Sequence, residues 1–456
     1  MKIFNTLSGK KEDFVPLEKN KIKMYVCGMT VYDDTHIGHA RTFLSFDLIV
    51  RYLRSINYEV HYIRNITDVD DKIISRAEEL NITPKELTKK YINSMNDDFN
   101  SLGMIEPDSE PRATDNIDSI ISLIKILIKK GHAYEGSSDV YFSAESFDSY
   151  GKLSRRNLED MLAGARVDID TDKKNPADFV LWKKNTEGLK WDSPWGEGRP
   201  GWHIECSAMS MDALGETFDI HGGGSDLKFP HHENEIAQSE CVTGKEFAKL
   251  WMHTGSLRID KEKMSKSLKN FVTIKDALQT HSSEVLRLFL ISSHYRSPLN
   301  YSHDALEEAK HSLDRLYNSL QDLVYESKDY IQTEYSQKFH KAMQDDFNTP
   351  SALSVLFEMA RHINTLKKEN NIEKSSSLAK ELVTLSDILG LLQGSPDKHF
   401  TEGIGTSDEE IEGYILMRNQ ARNNKDFDLA DNIRDELLEK GIVLEDKESG
   451  TTWKKS

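Results

Sequence analysis

Two short strings in the chain carry residues that could bind a phosphate chain. The first is His36-Ile37-Gly38-His39, which opens a segment with helical apolar spacing after a short apolar run. Backbone amides and the helix dipole at such a helix start favour an anion, and the two imidazoles add directional donors. Gly38 lacks a side chain that would block a base or a ribose from packing on the backbone. Taken alone, this string also fits a pair of surface histidines that cap a helix.

The second string, Lys263-Met264-Ser265-Lys266-Ser267, lies in a polar segment after the last predicted strand of the sheet. Lysines on flexible stems can neutralise a triphosphate while its α-phosphorus is attacked, and preplaced cations speed such a step greatly. By itself the segment is better explained as a solvated lysine loop. The two strings occur in this order at either end of one predicted α/β domain, which favours the catalytic interpretation.

The composition limits what kind of protein carries these strings. The 456 residues are 38% hydrophobic and 30% charged, typical of a folded globular chain, and this length predicts about two to four domains. The formal net charge of -17 argues against a broad basic surface that coats nucleic acid, but it allows local basic stripes. Cys27, Cys206 and Cys241 are few and far apart, so we expect reduced thiols rather than disulfides.

The hydropathy of the chain and its N-terminal residues predict the cellular compartment of the protein. No apolar run approaches the ~20 residues that a bilayer span requires. The N-terminal residues lack the apolar core and the small-residue cleavage site of a secretory signal. We therefore expect a cytoplasmic protein with no membrane partner.

Alternating strands and helices in the first part of the chain predict a parallel sheet. Lys21 to Cys27 and Val60 to Ile66 read as strands on either side of the helix that follows the first string. Such a unit predicts two parallel strands with a right-handed crossover and a ligand site at their C-terminal ends. Further on, Phe218 to His221 reads as a strand, and Gly222 to Gly224 predict a loop before a helix that begins near His231.

Longer segments of the chain carry a resemblance to a known family. They are MYVCGMTVYDDTHIGHARTF, RNITDVDDKI, RPGWHIECSAM, FDIHGGGSDLKFPHHENEIAQSE, EKMSKSLKNF, HYRSPLNYS, DDFNTPSALSVLF and GIVLEDKESGTTW. With HIGH and KMSKS as unaltered strings, the chain resembles the class I aminoacyl-tRNA synthetases. Within that class, these segments resemble the bacterial cysteinyl-tRNA synthetases over essentially the whole chain.

The resemblance implies an α/β fold with three domains. The first is a class I Rossmann-like catalytic domain at 1–282, with a connective insertion at about 100–200. An α-helical bundle that binds tRNA would follow at 283–398, which agrees with the helical periodicity beyond about Ser283. A small mixed α/β domain at 399–456, with two helices and a hairpin, would recognise the anticodon.

The same resemblance implies one zinc ion per chain, held by Cys27, Cys206, His231 and Glu235. Only His231 and Glu235 carry a local signal, since two residues four apart share one face of a helix. That spacing also suits a solvated surface pair, and single cysteines such as Cys241 are often buried small hydrophobes. Thiolate binding to zinc would select cysteine against serine, which an apolar pocket separates only about a hundredfold.

The resemblance also assigns residues to the other substrates. The implied reaction is ATP-dependent activation of L-cysteine to cysteinyl-adenylate, followed by transfer to the 3'-terminal adenosine of tRNA(Cys), with Mg2+ accompanying ATP and the chain as a monomer. The residues implied around the amino acid are Thr67, Trp202, His221 and Asp226. Those implied to bind ATP are His36, Gly38, His39, Lys263, Ser265 and Lys266, of which His36, His39, Lys263 and Lys266 would be catalytic.

Plainer interpretations of two of these residues stay open. Trp202 could be a core residue, and Asp226 could be a turn residue or a helix cap. An esterase interpretation of the HGGG string at His221 is set aside, because no G-x-S-x-G nucleophile elbow accompanies it.

Two other functions also stay open. One is a cysteine ligase that acts on an amino sugar, against which the C-terminal RNA-binding region weighs. The other is a zinc-containing RNA-binding paralogue without catalysis, against which the intact HIGH and KMSKS strings weigh.

The chain departs from the family pattern at a few positions. Lys269 stands where a glycine is common, and Asp34 and Thr35 are more polar than is frequent there. In the C-terminal domain, basic and aromatic residues would read the anticodon by stacking and edge contacts. These are Arg418, Arg422, Lys425, Arg434 and Trp453.

Overall fold

The computed structural model describes residues 1–156, 172–184, 188–201, 203–260, 262–263, 271–325, 332–401, 408–439, 441–447 and 450–455. Of the predicted site residues, Trp202, Ser265 and Lys266 lie outside this part of the chain, as does Lys269, and only the backbone of Lys263 is described.

The described residues alternate strands and helices up to Tyr301 and are mainly helical from His303 to Glu439. The strands are β1 (Lys2–Asn5), β2 (Lys10–Asp13), β3 (Lys21–Val26), β4 (Glu59–Arg64), β5 (Ala133–Glu135), β6 (Asp139–Phe142), β7 (Phe179–Lys184), β8 (Gly198–Pro200), β9 (Phe218–Gly224), β10 (Ala248–Thr254), β11 (Leu257–Ile259), β12 (Glu262–Lys263), β13 (Leu299–Tyr301), β14 (Ile442–Lys447) and β15 (Gly450–Lys455). The helices are α1 (Ile37–Ser55), α2 (Asp71–Glu79), α3 (Pro84–Ser101), α4 (Ile117–Lys130), α5 (Ile204–Leu214), α6 (His231–Thr243), α7 (Ile274–Thr280), α8 (Ser283–Ile291), α9 (His303–Leu320), α10 (Glu334–Met343), α11 (Thr349–Lys368), α12 (Ile372–Ile388), α13 (Pro396–Thr401), α14 (Asp408–Asn423) and α15 (Phe427–Glu439).

The chain divides into two compact units. The first comprises Met1–Ala309, Thr333–Val355 and Ile388–Gly390, and the second comprises Lys310–Gln332, Leu356–Asp387 and Leu391–Ser456. The boundaries of the three domains expected from the sequence stay a prediction.

A four-stranded parallel sheet lies in the first unit, with the strand order β10-β9-β3-β4. The chain runs from β3 to β4 on one side and returns to β9 and β10 on the other, so the strand order reverses between β9 and β3. Ligands of open α/β sheets bind at the carboxyl ends of the strands beside such a reversal. The Rossmann-like sheet and the parallel pair β3-β4, both predicted from the sequence, are confirmed.

The glycines after His221 correct one prediction. Gly222 to Gly224 belong to β9 rather than to a loop, because they pair with Met252, His253 and Thr254 of β10. A Cβ atom on Gly222 would lie 2.4 Å from the ring of Phe46 in α1. The missing side chain therefore lets this helix pack closely on the sheet, a use of glycine that a turn pattern in the sequence does not distinguish.

Helix ends follow local signals closely. Thr83 caps α3 in a capping box with Glu86, and Pro84 occupies the first turn. Gly131 ends α4 in the left-handed conformation, at a φ of 82°. The sequence predicts both ends, the start from Thr83-Pro84-Lys85-Glu86 and the stop from Gly131.

A second, antiparallel sheet lies between β4 and β9 in the chain. Its strand order is β5-β6-β7-β8, and it packs with α4, α5 and α6 around a core that includes Trp182 and Phe142. This sheet matches the predicted insertion of short strands into the parallel sheet domain.

The second unit contains the helix pair α14 and α15 and the hairpin β14-β15. Leu444 pairs with Trp453 across the hairpin that the sequence predicts. Ser407 to Glu410 also predict a capping box, and Ser407 lies outside the described residues. The helices and the hairpin share an apolar cluster that includes Ile411 and Leu437. Among the described residues, no helix combines the length and the apolar character needed to cross a membrane.

Candidate active site and metal centre

Four potential metal ligands converge next to the carboxyl ends of the central strands. Cys27 directly follows β3, His203 and Cys206 lie at the start of α5, and Glu235 lies in α6. One ligand atom of each residue lies within 4.8 Å of the others. We call this set the metal group.

The donor atoms of the metal group suit zinc. Cys27 Sγ lies 3.7 Å from Cys206 Sγ and 3.2 Å from Glu235 Oε1. His203 Nδ1 lies 2.8 Å from the same carboxylate oxygen. Two thiols, an imidazole and a carboxylate are ligand types that zinc takes in a tetrahedral site, and both cysteines are free of disulfides. The residues present therefore fit one zinc ion.

The electrostatics of the metal group favour a cation at its centre. Burial raises the pKa of Cys27 well above its ordinary value, so without a neighbouring cation the thiol stays protonated. Burial alone lowers the pKa of His203, but its contacts with Cys206 and Glu235 outweigh burial and raise that pKa well above its ordinary value. Likewise, burial opposes ionisation of Glu235, but His221 and His203 hold its pKa well below the ordinary value. A positive charge at this point is thus stabilised by its surroundings.

His231, the histidine predicted as a zinc ligand, lies one hydrogen bond away from the metal group. Its Nδ1 is 2.6 Å from His203 Nε2. Burial and the neighbouring His203 lower the pKa of His231 to about 4, so the ring is neutral at neutral pH, the form that binds metals. The structure therefore brings Cys27, Cys206 and Glu235 together directly, and it connects His231 to them through His203.

His203 is not among the residues that the sequence predicts for this site. The available signal was its position three residues before Cys206 at a helix start, a spacing that places two side chains on one helix face. His203 adopts the left-handed backbone conformation, with a φ of 61°. Non-glycine residues hold this conformation mainly where surrounding contacts over-determine it, and here Glu235 and His231 supply such contacts.

A chain of imidazoles continues from Glu235 into the protein. His221, predicted to contact the amino acid, is fully buried in β9, with its Nε2 2.7 Å from Glu235 Oε2 and its ring stacked on Trp251. His232 Nδ1 lies 3.0 Å from His253 Nε2. Both oxygens of Glu235 are therefore held by histidines, Oε1 by His203 and Oε2 by His221.

His36 and His39 form a reciprocal pair at the start of α1. The backbone N–H of His39 donates to His36 Nδ1 at 3.2 Å, and the backbone N–H of His36 donates to His39 Nδ1 at 3.3 Å. The two rings stack with 3.6 Å between their centroids. Because each Nδ1 accepts, the neutral rings carry their protons on Nε2, and these N–H groups can donate to a phosphate oxygen.

Two more predicted residues lie at the carboxyl ends of the strands. Thr67 follows β4, and its Oγ1 accepts a hydrogen bond of 3.2 Å from Asn65. Asp226 is exposed in a short 3-10 helix after β9. Thr67 and Asp226 therefore each lie a few residues beyond the carboxyl end of a strand of the parallel sheet, the edge at which ligands bind.

Asp34 and Thr35, the two polar residues that precede His36, contact α3. Ser94 Oγ donates to Asp34 Oδ1 at 2.7 Å, and Thr35 Oγ1 donates to Asp98. These bonds hold the loop that leads into the HIGH string.

Three arginines of the C-terminal helices form ion pairs within the second unit. Arg418 and Arg422 bind Asp446 at 3.0 and 2.8 Å, and Arg434 binds Asp431 at 3.2 Å. Their predicted contacts with an anticodon stay a prediction, and such contacts would compete with these ion pairs.

Comparisons with known proteins give a consistent result. The family model described as "tRNA synthetases class I (C) catalytic domain" matches residues 13–311, and the model described as "DALR domain" matches residues 338–393. The chain is 54% identical over 467 residues to the cysteine-tRNA ligase of Hahella chejuensis and 55% identical over 460 residues to that of Haemophilus influenzae, and 100% of each chain is covered.

Two solved structures share the fold. A methionyl-tRNA synthetase of Mycobacterium tuberculosis in complex with methionyl-adenylate has a TM-score of 0.60 at 13% identity, and covers 81% of this chain and 89% of its own. A leucyl-tRNA synthetase (LeuRS) of Agrobacterium radiobacter, in a ternary complex with tRNA and LeuAMS, has a TM-score of 0.58 at 11% identity. It covers 83% of this chain and 84% of its own. At these identities the likeness establishes the fold alone.

Proposed function

The chain belongs to the cysteine-tRNA ligase family of the class I aminoacyl-tRNA synthetases, and from this premise we propose which residues perform its reaction. It is a ligase that activates cysteine with ATP and charges tRNA with it. The observation that carries the proposal is the convergence of Cys27, Cys206 and Glu235, which lie far apart in the sequence, at one buried point. Full-length identity to cysteine-tRNA ligases argues against both the amino-sugar ligase and the non-catalytic paralogue.

We propose that Cys27, Cys206, His231 and Glu235 hold one zinc ion. Zinc, when bound there, prefers a thiolate to a hydroxyl as an added ligand and so favours cysteine over serine. A second candidate for the imidazole ligand is His203, because it lies within the metal group. We assign His231 as the ligand and His203 as its partner, since metal-bound imidazoles usually have their second nitrogen held by a neighbour. The contact of 2.6 Å between the two rings supports this assignment.

We further propose that residues of the HIGH and KMSKS strings act on ATP. His36 and His39 donate from Nε2 to phosphate oxygens at the start of α1, where the helix dipole favours an anion. Gly38 leaves room for the adenosine, and Ser265 binds phosphate. A carboxylate oxygen of cysteine attacks the α-phosphorus, the bond to the β-phosphate oxygen breaks, and pyrophosphate leaves. Lys263 and Lys266 neutralise the charge that builds during this step.

Around the amino acid, we propose that Asp226 pairs with the ammonium group of cysteine and that Thr67, Trp202 and His221 shape its pocket. His221 acts in this pocket by holding Glu235, to which its Nε2 bonds at 2.7 Å. After activation, the terminal ribose of the tRNA takes the cysteinyl group through its 2'-hydroxyl. We also propose that Mg2+ accompanies ATP, that the tRNA is tRNA(Cys), and that the chain acts as a monomer in the cytoplasm.

Two assays test the proposed function together. Cysteine-dependent exchange between ATP and pyrophosphate measures activation without tRNA, and charging of total tRNA measures transfer. We expect both activities, with serine inactive in exchange. Exchange without charging would indicate the amino-sugar ligase, and the absence of both would indicate the non-catalytic paralogue; either result contradicts the proposal.

A further inference from the structure

Another group of potential metal ligands lies in the first unit, apart from the metal group. It consists of His281, His303 and Glu307, and one ligand atom of each residue lies within 4.8 Å of the others. His281 follows the end of α7, and His303 and Glu307 lie in the first two turns of α9. We call this set the surface cluster, because its side chains are exposed or partly exposed. None of its members has a role in the proposed reaction.

The distances in the surface cluster fit an ion between the side chains. His303 and Glu307 are four residues apart and so share one face of α9. His281 Nε2 lies 3.4 Å from Glu307 Oε1, which is longer than a usual hydrogen bond. Two ligands that each bind a tetrahedral ion at about 2.1 Å are separated by about the same distance. The pair is therefore spaced as two ligands of one ion.

The neighbours of His281 set the tautomer of its ring. Thr280 Oγ1 donates to the backbone carbonyl of Ala277 at 3.2 Å, and the same oxygen lies 2.9 Å from His281 Nδ1. With its proton used in this way, the hydroxyl accepts from Nδ1–H, and Nε2 keeps its lone pair. Metal-binding imidazoles are usually held by a neighbour at their second nitrogen in this manner.

The ligand types specify the class of ion. Two imidazoles and one carboxylate suit zinc and similar divalent transition metals, whereas calcium and magnesium prefer oxygen ligands alone. Asp304 and Glu308, exposed beside the two ligands of α9, add negative charge that favours a cation. Because His303 is exposed, water can complete the coordination, and we expect an ion bound here to exchange with solvent.

The surface cluster lies at one end of a helix whose other end contacts the HIGH string. The backbone N–H of Ile37 donates to the carbonyl of Val272 at 3.2 Å, and that of Ile274 donates to the carbonyl of Thr35 at 3.1 Å. These bonds hold the start of α7 against the start of α1. An ion bound to His281 and α9 would hold the other end of the same helix.

We infer that the surface cluster binds one exchangeable divalent transition-metal ion of the zinc type, which joins the end of α7 to the start of α9. This ion is additional to the one proposed for the metal group. The inference does not depend on the proposed function, because the two sites share no residue.

The test uses the full chain, loaded with zinc and without a histidine tag, dialysed against increasing concentrations of Co2+. Cobalt accepts the same ligand types as zinc but is counted separately by elemental analysis. We expect saturation at about one cobalt per chain, with the zinc content unchanged. Cobalt uptake matched by loss of zinc would place the cobalt in the metal group and would overturn the inference.

Three variants locate the bound cobalt. His303→Ala removes an exposed ligand and should weaken cobalt binding at least about 10-fold, and Thr280→Val should weaken it about 10-fold by releasing His281 Nδ1. His311→Ala, at another exposed histidine of α9, is the matched control and should bind cobalt as the wild type does. Equal binding by the wild type, His303→Ala and His311→Ala would show scattered surface binding and would contradict the inference.

Amide hydrogen exchange tests whether the ion joins the two helices. Added cobalt should slow exchange at the end of α7 and the start of α9 in the wild type and in His311→Ala, but not in His303→Ala. Stoichiometric cobalt binding that leaves exchange unchanged at both helix ends would refute the proposed link between them.

Discussion

The histidine pair at the start of α1 and the metal group are assembled in opposite ways. His36 and His39 contact each other through bonds between residues three apart, within a single helix start. The metal group instead joins Cys27 to Cys206 and Glu235 across sequence separations of 179 and 208 residues. The first site is a property of a helix end, and the second is a property of the packed sheet domain.

The two sites also contribute differently to the free energy of unfolding. The histidine pair satisfies backbone N–H groups at a helix end and so stabilises the helix. The metal group buries two thiols and a carboxylate, groups whose charged forms are costly in the interior unless a cation is near. Substitutions should therefore separate stability from activity in the first site and couple metal binding to activity in the second.

The largest effect is expected at Cys27. Cys27→Ser replaces a soft ligand by a hard one, so we expect loss of zinc and a rise of about 100-fold or more in the KM for cysteine, with ATP binding retained. Elemental analysis and the exchange assay measure this. Cys241→Ser is the matched control, since this buried cysteine lies in a different core cluster. Unchanged use of cysteine by a metal-free Cys27→Ser protein would refute the selecting role of zinc.

The next largest effect, on zinc affinity, distinguishes the imidazole of His231 from that of His203. His231→Ala removes a proposed ligand, whereas His203→Ala removes its partner, which should weaken zinc about 10-fold to 100-fold. We expect the loss in zinc affinity, measured by competition with a chelator, to be larger for His231→Ala. The reverse order would make His203 the ligand.

A smaller effect is expected at Gly222, whose carbonyl accepts a hydrogen bond of 2.9 Å from the Cys27 backbone. Gly222→Ala forces a methyl group against Phe46, and overpacking of this kind costs about 1–3 kcal/mol of unfolding free energy. Denaturant unfolding measures the loss. Adding Phe46→Leu should recover part of it, and a double variant no more stable than Gly222→Ala would show that the clash is not the cause.

The smallest effect on stability is expected at His36. His36→Ala removes the helix cap and should cost about 1 kcal/mol, while His36→Asn keeps a side-chain acceptor and should cost little. Both variants lack the Nε2 donor, so both should slow adenylate formation, measured by single-turnover kinetics. If His36→Asn kept the wild-type rate, the imidazole would act only as a cap.

Features that depend on neighbours along the chain can be read from the amino-acid pattern. The capping box at Thr83, the end of α4 at Gly131 and the parallel pair β3-β4 follow from hydrogen bonds and apolar periods within a few residues. The family resemblance supplied the function and three of the four members of the metal group. Local patterns suffice here because the forces that create these features act over one or two turns.

The remaining features of the site arise only when distant segments pack together. This packing placed His203 in the metal group and put Gly222 to Gly224 inside a strand. Each of these outcomes depends on contacts between segments tens to hundreds of residues apart. Whether a buried histidine, glycine or carboxyl meets a partner is determined by the packing of helices on sheets, and no local pattern in the chain encodes that packing.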